Sequence, residues 1–114
     1  MTTTIWHNPR CSKSRQTLDL VREKGIEPEI VEYLKTPPSA AEIKAVLKKL
    51  GIGARALMRT KEAVYKDLGL AAVEDEEALI AAMVEHPVLI ERPVVLKDGK
   101  AALGRPPESV LEIL

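Results

Sequence analysis

The sequence predicts an α/β fold in which a β-α-β unit opens the chain, a helical segment follows, and a β-β-α unit closes it. Two observations predict this order: strand-forming runs of β-branched residues stand near both ends, and helical periodicity fills the middle. With 114 residues, the chain has the length of one ordinary domain. We therefore expect a single domain over residues 1–114, with the helical insertion at about residues 39–86.

The opening β-α-β unit is predicted from local signals. Residues 2–6 are β-branched or aromatic and predict a strand, which Asn8-Pro9 ends. A helical pattern begins around residues 11–12 and continues to Lys24, where Gly25 is a typical helix terminator. Isoleucine, valine and tyrosine within residues 29–34 predict the second strand.

The middle and closing elements follow from capping and turn signals. Ser39 and Glu42 have the spacing of a capping box, and the helix behind them carries an apolar stripe. Two further helical pieces are expected at about residues 61–68 and 75–85. After Pro93, short strands flank the hairpin signal Asp98-Gly99, and a proline-initiated helix closes the chain. This is the order of the thioredoxin-like fold with helices inserted, and it predicts a small mixed sheet flanked by helices.

Composition limits the classes of partner and compartment. Seventeen basic residues balance seventeen acidic ones, so the basic excess of a nucleic-acid-binding protein is missing. No apolar run is long enough to cross a membrane. A single cysteine forms no internal disulfide, and the start of the chain does not have the pattern of a secretory signal. We therefore expect a cytoplasmic protein that binds neither nucleic acid nor membrane.

Cys11 is the candidate nucleophile. It stands between a predicted strand end and a predicted helix start, where backbone N–H groups and the helix dipole lower a thiol pKa. Arg10, Lys13 and Arg15 are close in sequence, and His7 precedes by four residues. A lone cysteine is more often a small buried hydrophobic residue. The strand-Pro-Cys-helix context favours a reactive thiolate instead.

Residues 11–14 (CSKS) keep the spacing of a Cys-x-x-Cys motif, with Ser14 in place of the second cysteine. Ser14 is available to hydrogen-bond the thiolate. An adduct on Cys11 must be resolved by an external thiol, and glutathione is the abundant candidate. Phosphatase thiol loops carry an arginine at the position of Thr17, so we exclude that chemistry. His7 and His86 do not complete a zinc-binding pattern with Cys11, and no metal is expected.

The sequence resembles the ArsC-type, glutaredoxin-coupled arsenate reductases along essentially the whole chain. The matching segments are HNPRCSKSR at residues 7–15, YLKTPP at 33–38, RALMR at 55–59, LIERP at 89–93, GRPP at 104–107 and VLEIL at 110–114. The resemblance implies an oxidoreductase whose Cys11 attacks arsenate. Glutathione then displaces the adduct, and glutaredoxin reduces the mixed disulfide. It implies no metal and no bound cofactor, since glutathione acts as a co-substrate.

The resemblance also implies roles for individual residues. Matching segments put the substrate-binding arginines at Arg59, Arg92 and Arg105, with His7 near Cys11. Guanidinium groups suit this task, because a thiolate and an oxyanion repel each other by about 4 kcal/mol per charge pair at contact, with an effective dielectric near 20. Arginine offsets that repulsion and binds oxyanions through two hydrogen bonds. The bond between Arg92 and the following proline stands where thioredoxin-like folds keep a cis-proline, so we expect it to be cis.

Two alternative functions stay open. One is a glutathione-dependent reductase that acts on another oxyanion or on a mixed disulfide. The other is a non-catalytic regulator of the same fold that binds RNA polymerase. Regulators of that type use a redox-active Cys-x-x-Cys, so Ser14 and the three arginines favour the enzyme.

Overall fold

A four-stranded mixed sheet is formed by the first and last parts of the chain in the computed structural model, which describes residues 3–114. Its strands are β1 (Thr3–Trp6), β2 (Glu29–Val31), β3 (Val94–Lys97) and β4 (Lys100–Leu103), in the spatial order β2-β1-β3-β4. β1 runs parallel to β2 and antiparallel to β3, and β3 runs antiparallel to β4. The predicted mixed sheet is confirmed, and Thr2, the first residue of the predicted strand, lies outside the described residues.

The helices fill the segments between the strands. They are α1 (Ser12–Glu23), α2 (Ala40–Leu50), α3 (Ala54–Leu57), α4 (Ala63–Asp67) and α5 (Glu76–Glu85). Short 3₁₀ helices cover Leu70–Ala72, Pro87–Leu89 and Pro107–Glu112. Among residues 3–114, none of these helices has the length and apolar character needed to cross a bilayer.

The chain divides into two compact units. The first runs up to Thr36 and resumes at Arg92, and the second is Pro37–Glu91. The second unit contains all the helices of the predicted insertion, whose expected limits were about residues 39–86. That the whole chain forms one domain stays a prediction.

The first unit is held together by an aliphatic core on one face of the sheet. Ile5 on β1 and Val95 on β3 are direct partners in the sheet, so their side chains share a face. Leu18 and Val21 of α1 and Val110 of the last 3₁₀ helix join them in one buried cluster. Each fully buried side chain of this kind contributes about 1.5–3 kcal/mol, so this packing fixes α1 against the sheet.

The strand register brings four connecting segments to one end of the sheet. Trp6, the last residue of β1, is paired with Val31, the last residue of β2, and with Val94, the first residue of β3. Val94 is paired in turn with Leu103, the last residue of β4. The loop after β1, the turn after β2, the segment before β3 and the segment after β4 therefore meet at this end.

The second unit is helical and is held by polar contacts as well as packing. The predicted capping box is confirmed: Ser39 N–H donates to Glu42 Oε1 (3.0 Å), and Glu42 N–H donates to Ser39 Oγ (3.2 Å). α2 packs against α5. The Arg55 guanidinium donates to the carbonyl oxygens of Leu70 and Val73, which fixes the turn that precedes α5.

The structure differs from the sequence-based expectation at α3 and at the 3₁₀ helices Leu70–Ala72 and Pro87–Leu89, which the sequence did not predict, and also at β2 and the closing helix. β2 ends at Val31 instead of continuing to residue 34, because the N–H groups of Lys35 and Thr36 turn back onto Glu32 O. The closing helix is a 3₁₀ helix, in which side chains three residues apart align. The apolar pattern of residues 110–114 predicts Leu111 on the inner face of this helix, but Leu111 is 38% exposed, whereas Val110 is fully buried.

Candidate active site

Cys11 occupies the N-cap of α1, at the end of the sheet where the four segments meet. Its backbone is extended (φ −95°, ψ 123°), and its N–H donates to Asn8 O at 3.0 Å. The backbone N–H groups of Lys13 and Ser14 lower the pKa of the Cys11 thiol, although the Cys11 side chain accepts no capping hydrogen bond from the helix. These N–H groups belong to the first turn of α1, where they have no partner within the helix. The prediction that Cys11 would lie at a helix start is confirmed.

Two distant arginines approach the same sulfur. Arg92 hydrogen-bonds Cys11 Sγ through its side chain. Arg105 Nη2 lies 3.9 Å from Cys11 Sγ, and Arg105 Nε donates to Arg92 O at 2.8 Å. The two guanidinium groups come from the segment before β3 and the segment after β4, so the sheet register places both beside the thiol.

The surroundings lower the pKa of the Cys11 thiol. Burial raises this pKa, but the backbone N–H of Ser14, the hydrogen bond and charge of Arg92, and the backbone N–H of Lys13 together outweigh burial. The net result is a pKa below the ordinary value of a cysteine. A larger fraction of Cys11 is therefore the nucleophilic thiolate at neutral pH.

The basic residues next to Cys11 in sequence contribute less than we expected from their proximity. The side chain of Arg15 turns away and donates from Nη1 to Pro9 O at 2.8 Å. Arg10 is exposed, and Lys13 acts on the sulfur through its backbone N–H. The cation that lowers the pKa comes instead from Arg92, which is remote in sequence and close in the fold.

His7 and Ser14 form a buried polar pair behind the thiol. His7 Nδ1 and Ser14 Oγ are hydrogen-bonded at 2.6 Å, and the backbone N–H of Asn8 donates to Ser14 Oγ at 3.0 Å. Burial lowers the pKa of His7; Glu32 opposes this shift, and Arg22 and Arg15 reinforce it. His7 is therefore a neutral imidazole at neutral pH. The Ser14 hydroxyl hydrogen-bonds His7, whereas it is the Ser14 backbone N–H that lowers the pKa of the Cys11 thiol.

Arg59 lies in the second unit, just after α3. Its backbone N–H donates to Leu89 O at 2.7 Å, which fixes the segment that follows α3 against the chain near Leu89. Its Nε forms an ion pair with Glu62 Oε1 at 3.3 Å. Its Nη1 is buried and has no hydrogen-bond partner among residues 3–114. A buried donor without a partner costs about 1–3 kcal/mol, so this nitrogen is suited to receive an acceptor from outside the chain.

Gly104, directly before Arg105, packs closely against its neighbours, and the sequence did not predict this packing. The peptide bond between Arg92 and Pro93 is cis, as predicted, and the bond after Arg105 is cis as well, which we did not predict. Gly104 N–H donates to Pro93 O at 2.9 Å. A Cβ at Gly104 would lie 2.4 Å from Thr17 Oγ1 and 2.6 Å from Pro93 Cγ. The only sequence signal for this packing was a glycine directly before a predicted site arginine.

Comparisons with known proteins agree with the resemblance seen in the sequence. The ArsC family model matches residues 6–113. The chain is 60% identical to the uncharacterized protein YfgD of Escherichia coli, over 96% of this chain and 94% of that protein. It is 52% identical to an arsenate reductase of Neisseria meningitidis serogroup B, over 96% of each chain.

A solved structure shows the same fold. The arsenate reductase from Vibrio cholerae superposes with a TM-score of 0.97 and 52% sequence identity, covering 100% of this chain and 98% of that one. The predicted thioredoxin-like α/β class is confirmed by this likeness together with the mixed sheet.

Proposed function

The chain belongs to the ArsC family, and from that membership and the geometry around Cys11 we propose that it is an arsenate reductase. The observation that carries the proposal is the meeting of one thiol and two guanidinium groups, with Arg92 hydrogen-bonded to Cys11 Sγ and Arg105 Nη2 at 3.9 Å. A thiolate repels an oxyanion unless positive charge lies between them. Arg92 and Arg105 supply that charge at the sulfur itself.

Arg59 is the third arginine that we assign to the oxyanion. Support comes from its buried Nη1, which has no hydrogen-bond partner among the described residues. An arsenate oxygen is a strong acceptor and would satisfy this donor. Backbone and ion-pair contacts hold Arg59 within the second unit.

The proposed chemistry begins with Cys11 as nucleophile. The thiolate attacks arsenic, an As–S bond forms, and one arsenate oxygen leaves as water. The thiolate of glutathione then attacks Cys11 sulfur, the As–S bond breaks, and its electron pair stays on arsenic, which leaves as arsenite. A glutaredoxin thiolate finally attacks the glutathione sulfur of the mixed disulfide and releases Cys11 as thiolate.

The external thiols follow from the count of cysteines. The chain has one cysteine, so it has no second thiol with which to close an internal disulfide. Glutathione and glutaredoxin are therefore the proposed partners, and we place the reaction in the cytoplasm, where glutathione keeps thiols reduced. The proposal needs no metal and no bound cofactor, since the electrons come from the two thiols.

A turnover assay tests the proposal. Purified protein, arsenate, glutathione and glutaredoxin should form arsenite continuously, and Cys11→Ser should form none. Arg92→Ala and Arg105→Ala should lower kcat/KM for arsenate by roughly 10-fold or more, since each removes charge-assisted hydrogen bonds. Lysine at either position should restore activity only in part, because an ammonium lacks the two-pronged geometry. Absence of arsenite with the wild-type protein and all components present would reject the assignment.

A further inference from the structure

A cavity of about 410 Å³ opens in the first unit, beside the loop that directly precedes Cys11. Its walls are the loop after β1, residues 7–10, and the turn after β2, which supplies Glu32, Leu34 and Lys35. This volume lies in the range of small-molecule binding sites. The arsenate site described above uses Arg92 and Arg105, and neither lines this cavity.

We propose that this cavity binds the glutathione co-substrate, with Arg10 and Lys35 recognising its two carboxylates and Glu32 recognising its ammonium group. The inference rests on the proposed function for the identity of the thiol. Its basis is charge complementarity, because the lining carries two cations and one anion and glutathione carries two anions and one cation. Leu34, which is 44% exposed on the cavity wall, supplies an apolar surface for the peptide between its charged ends.

The same lining argues against a second oxyanion site. Glu32 would repel arsenate, and the neutral His7 on the wall adds no charge to attract it. Glu32 and Lys35 form an exposed ion pair at 3.6 Å. Exposed pairs of this kind contribute little stability, so a zwitterionic ligand can exchange partners with them at little cost.

The position of the cavity allows a bound tripeptide to reach the nucleophile. Arg10 is the covalent neighbour of Cys11, and consecutive Cα atoms lie about 3.8 Å apart. An extended tripeptide spans about 10 Å. Cys11 N–H also donates to Asn8 O at 3.0 Å, so a backbone hydrogen bond joins Cys11 to the cavity wall.

The test uses oxidised glutathione and needs no arsenate. Cys11 thiolate attacks one sulfur of this disulfide, the mixed disulfide forms, and one glutathione thiolate leaves. Bis(2-hydroxyethyl) disulfide undergoes the same exchange but is uncharged, so it reports the reactivity of Cys11 alone. We would measure both second-order rate constants by mass spectrometry for the wild type, for the double variant Arg10→Gln/Lys35→Gln, and for the control Lys24→Gln/Lys100→Gln.

The proposal predicts that the cavity variant loses reactivity toward oxidised glutathione only. The Arg10→Gln/Lys35→Gln variant should react about 3- to 10-fold more slowly with oxidised glutathione, as the loss of two exposed ion pairs implies, and normally with the uncharged disulfide. The control removes two exposed cations that lie outside the cavity lining, and it should keep the wild-type ratio. An unchanged ratio in the cavity variant, or an equal fall in the control, would overturn the proposal. Arsenate turnover by the wild type is measured separately, so failure of the cavity and failure of the reductase assignment remain distinguishable.

Discussion

At the scale of single residues, the reactivity of Cys11 comes from groups that are far apart in sequence. The sequence predicted the N-cap position, because a strand end, a proline and a helix start are local signals. It did not predict which cation would lower the pKa, since Arg92 reaches the sulfur only through the pairing of β1 with β3. The neighbouring side chains of Arg10 and Arg15 point to other partners or to solvent.

The first prediction separates these two sources of charge. Arg92→Gln should raise the pKa of Cys11, because the variant loses the guanidinium charge beside the sulfur. Lys13→Gln should leave it nearly unchanged, because Lys13 acts through its backbone N–H, which the variant keeps. The pH dependence of thiolate absorbance or of alkylation rate measures this pKa. Equal shifts in the two variants would show that general electrostatics, and not the Arg92 contact, activates the thiol.

The second prediction concerns the buried pair behind the thiol. Ser14→Ala leaves His7 Nδ1 and the Asn8 N–H without the hydroxyl that both contact, which should cost about 1–3 kcal/mol of unfolding free energy. Ser12→Ala, at an exposed position in the same helix turn, should change stability by less than about 0.5 kcal/mol. Urea unfolding of both variants compares them directly. A Ser14→Ala variant as stable as Ser12→Ala would mean that the pair does not hold the loop.

At the scale of elements, the sequence predicted the existence of each long element and was weaker at its ends. The α1 helix, the capping box of α2 and the final hairpin follow from periodicity and turn chemistry that act within a few residues. The early end of β2 depends on a turn onto Glu32 O, and the tight winding of the last helix exposes Leu111. Neither feature has a local signal strong enough to outweigh the apolar pattern.

The third prediction tests the close packing around Gly104. Gly104→Ala should destabilise the fold by about 1–3 kcal/mol, because its Cβ would collide with Thr17 on α1 and with Pro93. Gly53→Ala is the control, since the nearest atom to its Cβ lies 3.7 Å away. Unfolding midpoints in urea give the difference. Similar small losses in both variants would show that the chain near Gly104 relaxes and does not clamp the Arg105 segment.

At the scale of the whole molecule, the site is a product of strand order. Because Trp6, Val31, Val94 and Leu103 all lie at one end of the sheet, four connecting segments converge there, and they carry the thiol, two arginines and the proposed glutathione cavity. The convergence of the arginines could be expected only from the family resemblance, since composition and periodicity do not give strand order. The cavity had no sequence signal, because Glu32 and Lys35 resemble ordinary solvated charges.

The last prediction follows from the single cysteine of the whole chain. Protein quenched during reaction with arsenate and glutathione, but without glutaredoxin, should carry one glutathione on Cys11, because the chain has no other thiol to release it. Adding glutaredoxin should remove the adduct and restore turnover, and intact mass measures both states. Ser14→Cys supplies a second thiol at the Cys-x-x-Cys spacing, so this variant should show less of the adduct and form an internal disulfide instead. Sustained arsenite formation with thioredoxin alone, and with no glutathione adduct at any time, would contradict the glutaredoxin-coupled cycle.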